Sequence, residues 1–395
     1  MDSGAGEGID LGANPILGVF LHWLGGLASA SFYVPYRKVR GWSWETYWLA
    51  GGVVSWIVMP WLLAGLITRS LLSVLHAAPP SSILWSYIFG VLWGFGGLTF
   101  GLTMRYLGLS LGMATALGYT AIFGTLAPPI FHGQFRQLLA QRSGIIILVG
   151  VGVCVLGIVF AGGAGISKER ELSREQKLAS IQEFNLKLGL GVATFCGIMS
   201  ACFAFGLDAG NPIKALTLAA GTSTMWQGLP VLVVVLAGGF TTNFVWCAIL
   251  HVRNHSAGEY LGFPANVREE SAHEHPPLEN PTDAASTEMA LEFDPAPRRQ
   301  PSLRWNYLFS AIAGATWYMQ FFFYTMGETQ MGRYKFSSWT LHMASIIIFS
   351  TLWGIALKEW NGVSARTKTL VFLTLLTLVG STMIVGYGNY LGLQH

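Results

Sequence analysis

Ten stretches of about 20 residues are apolar enough to cross a lipid bilayer, at approximately 14–36, 46–68, 83–104, 107–131, 143–163, 187–208, 221–250, 305–327, 338–357 and 368–391. No other feature constrains the fold as strongly. In hydrocarbon every backbone N–H and C=O must be satisfied within the segment, so runs of this length without two-residue alternation become α-helices. The balance of residues agrees: 52% are hydrophobic and 11% charged, against about 25% charged in a soluble domain. The expected fold class is an all-α membrane protein with ten transmembrane helices. The 221–250 run is longer than a bilayer needs, so it is expected to tilt or to begin with an interfacial turn.

The remaining composition narrows the function by exclusion. A net charge of +3, spread over loops, offers no basic face for nucleic acid. Cys154, Cys196, Cys202 and Cys247 all fall inside predicted spans and read as small buried thiols. The N-terminus carries Asp2, Glu7 and Asp10 without Lys or Arg, and the first apolar run exceeds a signal-peptide core, so it is expected to be retained. Two polar loops interrupt the spans, a mixed-charge stretch at 164–186 and a Pro-, Glu- and His-bearing insert at 251–304 that reads as a linker. Within the insert His273 and His275 stand beside Glu269, Glu270 and Glu274, but their spacing matches no standard metal-ligand set, and a solvated loop accounts for them. No metal and no cofactor is expected.

Basic residues set the orientation. Arg69, Arg136, Arg142, Lys214, Arg333 and Lys335 fall on one side, and the remaining 17 of the 23 Lys and Arg on the other. The richer side is expected to be cytoplasmic. That places the loops at 37–45, 164–186, 251–304 and 358–368 inside and both termini outside.

The chain repeats itself. Gly26-x-x-Ser29-Ala30-x-Phe32 returns as Gly197-x-x-Ser200-Ala201-x-Phe203, 171 residues on, and Trp56-x-x-x-Pro60 returns as Trp226-x-x-x-Pro230, 170 residues on. Beyond the insert the offset becomes 224, aligning Trp93 and Phe100 with Trp317 and Tyr324; Arg105-Tyr106-x-x-x-Ser110 then matches Arg333-Tyr334-x-x-x-Ser338 at 228. Four matches in chain order define two halves. With five helices each, the second half enters the membrane from the opposite side, a transporter signature with the binding site between the halves. The expected organisation is residues 1–163 as the first repeat, 164–186 as a charged cytoplasmic loop, and 187–395 as the second repeat carrying the 251–304 insert. Small residues at Gly189, Ala193, Gly197 and Ala201, and the pairs Gly90/Gly94, Gly97/Gly101 and Gly108/Gly112, predict close helix contacts. Pro60 and Pro230 are expected mid-span, as hinges or static kinks.

Polar residues within the spans are the candidate site. Residues 317–324 read Trp-Tyr-Met-Gln-Phe-Phe-Phe-Tyr, in which Trp317, Gln320, Phe321 and Tyr324 share one helix face and Gln320 must find partners for its amide. The alternative is an aromatic interhelical seam. An asymmetric ligand requires breaks between the halves: His22 stands opposite Ala193, Gln227 opposite Ile57, Gln320 opposite Gly96, and His342 opposite Ala114. His22 shares a face with Gly25, Gly26, Ser29 and Tyr33, while Trp339, His342 and Met343 share another. Glu45, Asp208, Glu328 and Glu359 all lie at span ends, where anchoring or pairing with Arg or Lys is expected. Histidine is then the best intramembrane proton carrier; hydrogen-bonded packing is the other role open to His22 and His342.

Together these residues resemble a known family. The runs His22-Trp23, Ser29-Ala30, Phe32-Tyr33-x-Pro35, Lys38-Val39, Trp42-Ser43-Trp44-Glu45-Thr46, Gly101-Leu102-Thr103-Met104-Arg105-Tyr106-Leu107-Gly108, Trp317-Tyr318-x-Gln320-Phe321-Phe322-Phe323-Tyr324, Ser338-Trp339-x-Leu341-His342-Met343 and Leu357-Lys358-Glu359-Trp360-Asn361 are similar to those of the bacterial L-rhamnose/proton symporters of the drug/metabolite transporter superfamily. The resemblance implies ten helices, a bacterial inner-membrane location and uptake of a 6-deoxyhexose with protons. It departs around Gly97, Thr99 and Phe100, where the family pattern carries asparagines and a tyrosine, and in the length of the 251–304 loop. The expected partners are a neutral sugar, a proton and the bilayer, with the oligomeric state open. The expected sugar site is Trp317, Gln320, Tyr324, Trp93, Ser338, Trp339 and Tyr33, with His22 and His342 for proton coupling. An exporter or exchanger of another metabolite would share the fold. A membrane enzyme or receptor would call for an HExxH motif, a carboxylate dyad or a large soluble domain, and the sequence has none of these.

Overall fold

The computed structural model describes residues 13–107, 109–171, 185–263 and 302–394. The His273/His275 cluster and most of the insert lie outside them. Among the described residues all regular structure is helical. The long helices are α1 (Pro15–Ser31), α2 (Trp44–Ile67), α3 (Pro80–Leu107), α4 (Leu109–Phe131), α5 (Arg142–Glu171), α6 (Leu186–Ala209), α7 (Leu229–Asn254), α8 (Leu303–Thr329), α9 (Ser338–Ala356) and α10 (Ala365–Leu393). Among the described residues nine segments are long and apolar enough to cross a membrane, so this is a multi-pass membrane protein. The segment outside those nine is α8. Its 27 residues span about 40 Å, but Asn306, Gln320 and a run of Trp and Tyr lower its hydropathy.

Local chemistry explains where helices begin and bend. Asn14 caps α1, its carboxamide oxygen accepting from the Ile16 and Leu17 N–H groups ahead of Pro15. Pro60 cannot donate to the α2 ladder, and the helix absorbs the loss in a π-helical turn at Val54–Val58. Pro230 behaves differently from its repeat partner and from expectation. Because α7 starts at Leu229, behind a 3₁₀ turn at Thr224–Trp226, Pro230 sits in a first turn, where a missing N–H breaks no bond. It is not a mid-span hinge.

Two expected boundaries move. α5 runs on to Glu171, eight residues past 163, because the Glu171 carboxylate accepts from the Ser364 N–H (2.8 Å), the Ser364 hydroxyl (2.6 Å) and the Thr367 hydroxyl (2.7 Å) at the start of α10. The first part of the expected 251–304 linker is ordered as the end of α7 and a 3₁₀ turn at Ala257–Leu261. There Glu259 accepts from the Ser43 N–H and hydroxyl (2.7 and 2.9 Å), and Trp42 Nε1 donates to the Glu259 carbonyl (3.0 Å). The same knot holds Glu45, which accepts from Asn254 (2.9 Å) and Ser256 (2.6 Å) rather than from Arg or Lys. Burial pushes the Tyr260 hydroxyl above its ordinary pKa, keeping it a neutral partner for His251 Nε2 at 3.0 Å.

Helix packing follows the small residues. The principal pairs are α5 with α10, α3 with α6 and α7, α1 with α8 and α9, α4 with α5 and α6, α2 with α7 and α8, and α9 with α10. A Cβ on Gly314 would lie 2.1 Å from the Gly51 carbonyl, and one on Gly90 2.1 Å from the Val235 carbonyl, so α2–α8 and α3–α7 touch backbone to backbone. Gly97 is an exception: a Cβ there would meet nothing within 4 Å. The expected Gly97/Gly101 contact is therefore not made at Gly97, which faces open space.

Candidate functional site

That open space belongs to a cavity of about 390 Å³, within the range of small-molecule sites, walled by α1–α10. On α9 its wall runs from Trp339 through His342 and Met343 to Gly354; on α5 and α10 it reaches Gly165 and Val371, with Glu359 and Trp360 at the same end. It therefore extends from mid-bundle toward the end where α5 and α9 finish and α10 begins. Aromatic rings dominate the deep part: Phe32, Trp48, Trp56, Trp93, Phe203, Trp317, Phe321, Tyr324 and Trp339. Glu359 is the one acidic lining residue and no Lys, Arg or Asp joins it among the described residues, so the cavity suits a neutral molecule.

Polar groups converge in its middle. His342 Nε2 lies 3.4 Å from Gln320 Oε1, a long contact between α9 and α8. Gln320 Nε2, His342 Nδ1 and Trp317 Nε1 are buried without a protein partner, leaving hydrogen-bonding capacity for a ligand. Tyr324 packs edge-on to the His342 ring (5.3 Å) and to Trp339 (5.9 Å). Trp339 is fixed by donation from Nε1 to the Thr120 carbonyl (2.9 Å), and it approaches so closely that a Cβ on Gly124 would lie 2.2 Å from that nitrogen. Trp93 and Phe321 meet edge to face at 5.3 Å, and Trp317 meets Phe321 at 5.8 Å. Rigid rings with fixed tilts form platforms for the C–H faces of a ligand.

Of the nine residues expected here, Trp317, Gln320, Tyr324, Trp93, Trp339, Tyr33 and His342 line the cavity. Ser338 and His22 do not. Ser338 is fully buried, one residue past the end of the α9 wall at Trp339, with its hydroxyl unpartnered. On α1 the wall begins at Ser29, and His22 lies two turns nearer the N-terminal end, against Gly327 and 5.3 Å from the Tyr324 ring. Both its ring nitrogens are buried and unpartnered. Tyr324 thus touches both imidazoles, only one of which borders the cavity. Gln227, singled out for its asymmetry, caps the 3₁₀ turn before α7 and is no part of the wall.

Sequence reasoning missed Asn243, Trp48, Trp56 and Phe203 in the wall. Asn243 carried the signal that revealed Gln320, an amide inside an apolar run. Phe203 was legible as the repeat partner of Phe32, which also lines the cavity.

Comparison with known proteins adds a second line of information. The family model described as L-rhamnose-proton symport protein (RhaT) matches residues 12–259 and 288–390, passing over 260–287 within the long insert. An L-rhamnose-proton symporter from Shigella dysenteriae serotype 1 (strain Sd197) is 35% identical over 373 residues, 94% of this chain and 97% of that protein. Proteins of the same name from Escherichia coli (strain 55989 / EAEC) and Klebsiella pneumoniae (strain 342) are 35% and 34% identical over the same shares.

Proposed function

From the premise that the chain belongs to the L-rhamnose-proton symport protein family, we propose that it imports L-rhamnose together with a proton by alternating access. The observation that carries this is the pairing of aromatic walls with the unsatisfied Gln320 amide and His342 imidazole in a cavity without a deep fixed charge. A 6-deoxyhexose is neutral. Its C–H faces and methyl group suit the rings of Trp93, Trp317, Tyr324 and Trp339, and its hydroxyls suit Gln320 and His342, with Tyr33 at the rim.

Coupling follows from the 3.4 Å contact. A neutral imidazole can either donate to Gln320 Oε1 or, with the amide turned over, accept from Gln320 Nε2, whereas a protonated one can only donate. Protonation of His342 therefore fixes the amide with Oε1 toward the ring and its Nε2 donors free for the sugar, so proton and sugar favour each other's binding. His22, reached from His342 through Tyr324, is the second proton site of the proposal, and Ser338 belongs to the path beyond the cavity rather than to the sugar wall.

The architecture we propose is ten transmembrane helices in two inverted five-helix repeats. Exchanging each helix for the one five places on maps every principal packed pair onto a principal pair: α3–α6 onto α8–α1, α4–α6 onto α9–α1, α3–α7 onto α8–α2, α4–α5 onto α9–α10, and α5–α10 and α2–α7 each onto itself. The related pairs Ser29/Ser200, Phe32/Phe203, Trp93/Trp317 and Phe100/Tyr324 all line the cavity, which supports a site on the pseudo-symmetry axis. With the basic-rich loops cytoplasmic in a bacterial inner membrane and the termini periplasmic, the cavity reaches the cytoplasmic end, an inward-facing arrangement.

The test is uptake of labelled L-rhamnose by proteoliposomes under an imposed pH gradient, with and without a protonophore, against other hexoses and deoxyhexoses. Accumulation that collapses with the protonophore is expected. Saturable transport without accumulation would remove the proton coupling, and no rhamnose transport would remove the substrate.

A further inference from the structure

Apart from Gln320, the cavity wall holds one other amide among the described residues, Asn243, on a different helix and without contact to Gln320. Its position is closely specified. Oδ1 accepts from Trp48 Nε1 at 3.1 Å and Nδ2 donates to the Gly239 carbonyl, one turn back on α7, at 2.9 Å. Gly239 in turn lies against Trp93, since a Cβ there would be 2.6 Å from Cζ3 of that ring. Asn243 is thus tied to one of the indoles that form the cavity, and the residue one turn back on α7 lies against another.

An amide has two N–H donors and two acceptor lone pairs. The structure commits one of each, leaving one N–H and one lone pair on a residue of the cavity wall. Nearby, Trp56 Nε1 is buried without a partner and also belongs to the wall. The Trp48 ring that Asn243 holds is stacked on Trp44 (5.3 Å, 19° between planes) and lies 6.4 Å from both Tyr33 and Trp317. A pyranose carries hydroxyls around its whole ring, so one polar cluster cannot read them all; a second is needed at another point of the wall.

We propose that Asn243 is a specificity-determining residue of the transporter: its free N–H donates to one sugar hydroxyl that Gln320 and His342 do not reach, with Trp48 as the ring that positions it. The proposal rests on the sugar-transport reading above and adds a second polar subsite, on α2 and α7, to the one on α8 and α9. An amide that only braced Trp48 would act on all sugars alike. One that donates to a hydroxyl acts selectively.

The experiment is rhamnose counterflow in proteoliposomes, with competition by the mono-deoxy derivatives of rhamnose, for the wild type, Asn243→Ala, Asn243→Ser and Trp48→Phe. Ratios of inhibition constants within one preparation do not depend on how much protein is folded, so a partly unstable variant remains informative. In the wild type each missing hydroxyl is expected to weaken competition. In Asn243→Ala and Asn243→Ser the rhamnose constant is expected to rise about 10-fold, the size of one lost hydrogen bond. One mono-deoxy derivative should change less than about 2-fold, so that its disadvantage disappears. Trp48→Phe, which keeps an aromatic ring but loses the N–H and part of the indole's surface, should weaken all the sugars together and preserve the wild-type ranking. If the Asn243 variants keep that ranking, or shift every sugar equally as Trp48→Phe does, Asn243 is a brace and the proposal fails. Wild-type protein without rhamnose counterflow would instead overturn the function on which the proposal rests.

Discussion

Gln320 and His342 each spend one polar atom on the other and leave another unspent, which makes them the residues whose substitution should separate function from fold. Gln320 Nε2 has no protein partner to lose, so Gln320→Ala is expected to raise the half-saturation constant for rhamnose about 5- to 150-fold, from roughly 1–3 kcal/mol of lost ligand bonding. Its melting temperature in detergent should stay near that of the wild type; a large fall in melting with unchanged transport would assign the residue to packing. His342→Ala is expected to abolish accumulation driven by a pH gradient while rhamnose exchange persists, because exchange needs no net proton movement. Should His22→Ala and His342→Ala both accumulate rhamnose fully, neither carries the proton. At this scale the sequence was readable wherever a polar group interrupted an apolar run, as at Gln320 and His342. His22 and Ser338 satisfied the same rule and still fell outside the wall. A helical-wheel face reports which way a residue points but not how far along the helix the cavity extends, and that limit is set by where Trp339 and Tyr324 close it off.

Helices in this protein are held by close approach as much as by apolar contact, and the glycines say which approach matters. Gly314→Ala places a methyl 2.1 Å from the Gly51 carbonyl, backbone that cannot swing aside, so α2 and α8 must separate. The expected cost is roughly 1–3 kcal/mol, visible as a lower melting temperature and weaker expression. Gly97→Ala makes no contact within 4 Å and should melt like the wild type, although it narrows a ligand cavity; equal destabilisation by both changes would contradict this packing. Among the described residues, nine of the ten spans expected from apolar length are helices long and apolar enough to cross a membrane. α8, the most polar of the long helices, was expected from the same apolar scan, and its hydropathy falls short of the other nine. Helix ends were less legible. α5 outruns its apolar stretch because Glu171 reaches Ser364 and Thr367, residues 193 and 196 positions away, a tertiary bond that no local pattern announces.

For the whole molecule, the proposed repeat is silent on which end of the cavity is open, since the inward- and outward-facing states of the proposed transport cycle share one sequence and differ in a small set of contacts. Those contacts lie at the end opposite Glu359 and Trp360, and each joins the first half to the second. The Ser143 hydroxyl and Tyr334 hydroxyl meet at 2.6 Å, and the Tyr334 hydroxyl donates to Gln141 Oε1 at 2.5 Å. His132 pairs with Asp208 at 2.9 Å, the Asn14 N–H donates to Gln330 Oε1 at 3.1 Å, and the Arg69 N–H donates to Thr222 Oγ1 at 3.0 Å. Opening the proposed periplasmic side must break most of them. Tyr334→Phe keeps the ring and deletes two bonds, worth roughly 2 kcal/mol together, which would shift the inward-to-outward ratio about 30-fold toward outward. The shift can be read at Ser338→Cys, a fully buried position past the cavity floor on the side that would open. The four native cysteines are all buried and contribute little background. A membrane-impermeant maleimide added outside right-side-out vesicles should label Ser338→Cys slowly in the wild-type background and many-fold faster with Tyr334→Phe. Added rhamnose and low external pH should alter that rate, because both ligands bind the alternating states unequally. Identical labelling in the two backgrounds would show that the Tyr334 ties do not hold the gate.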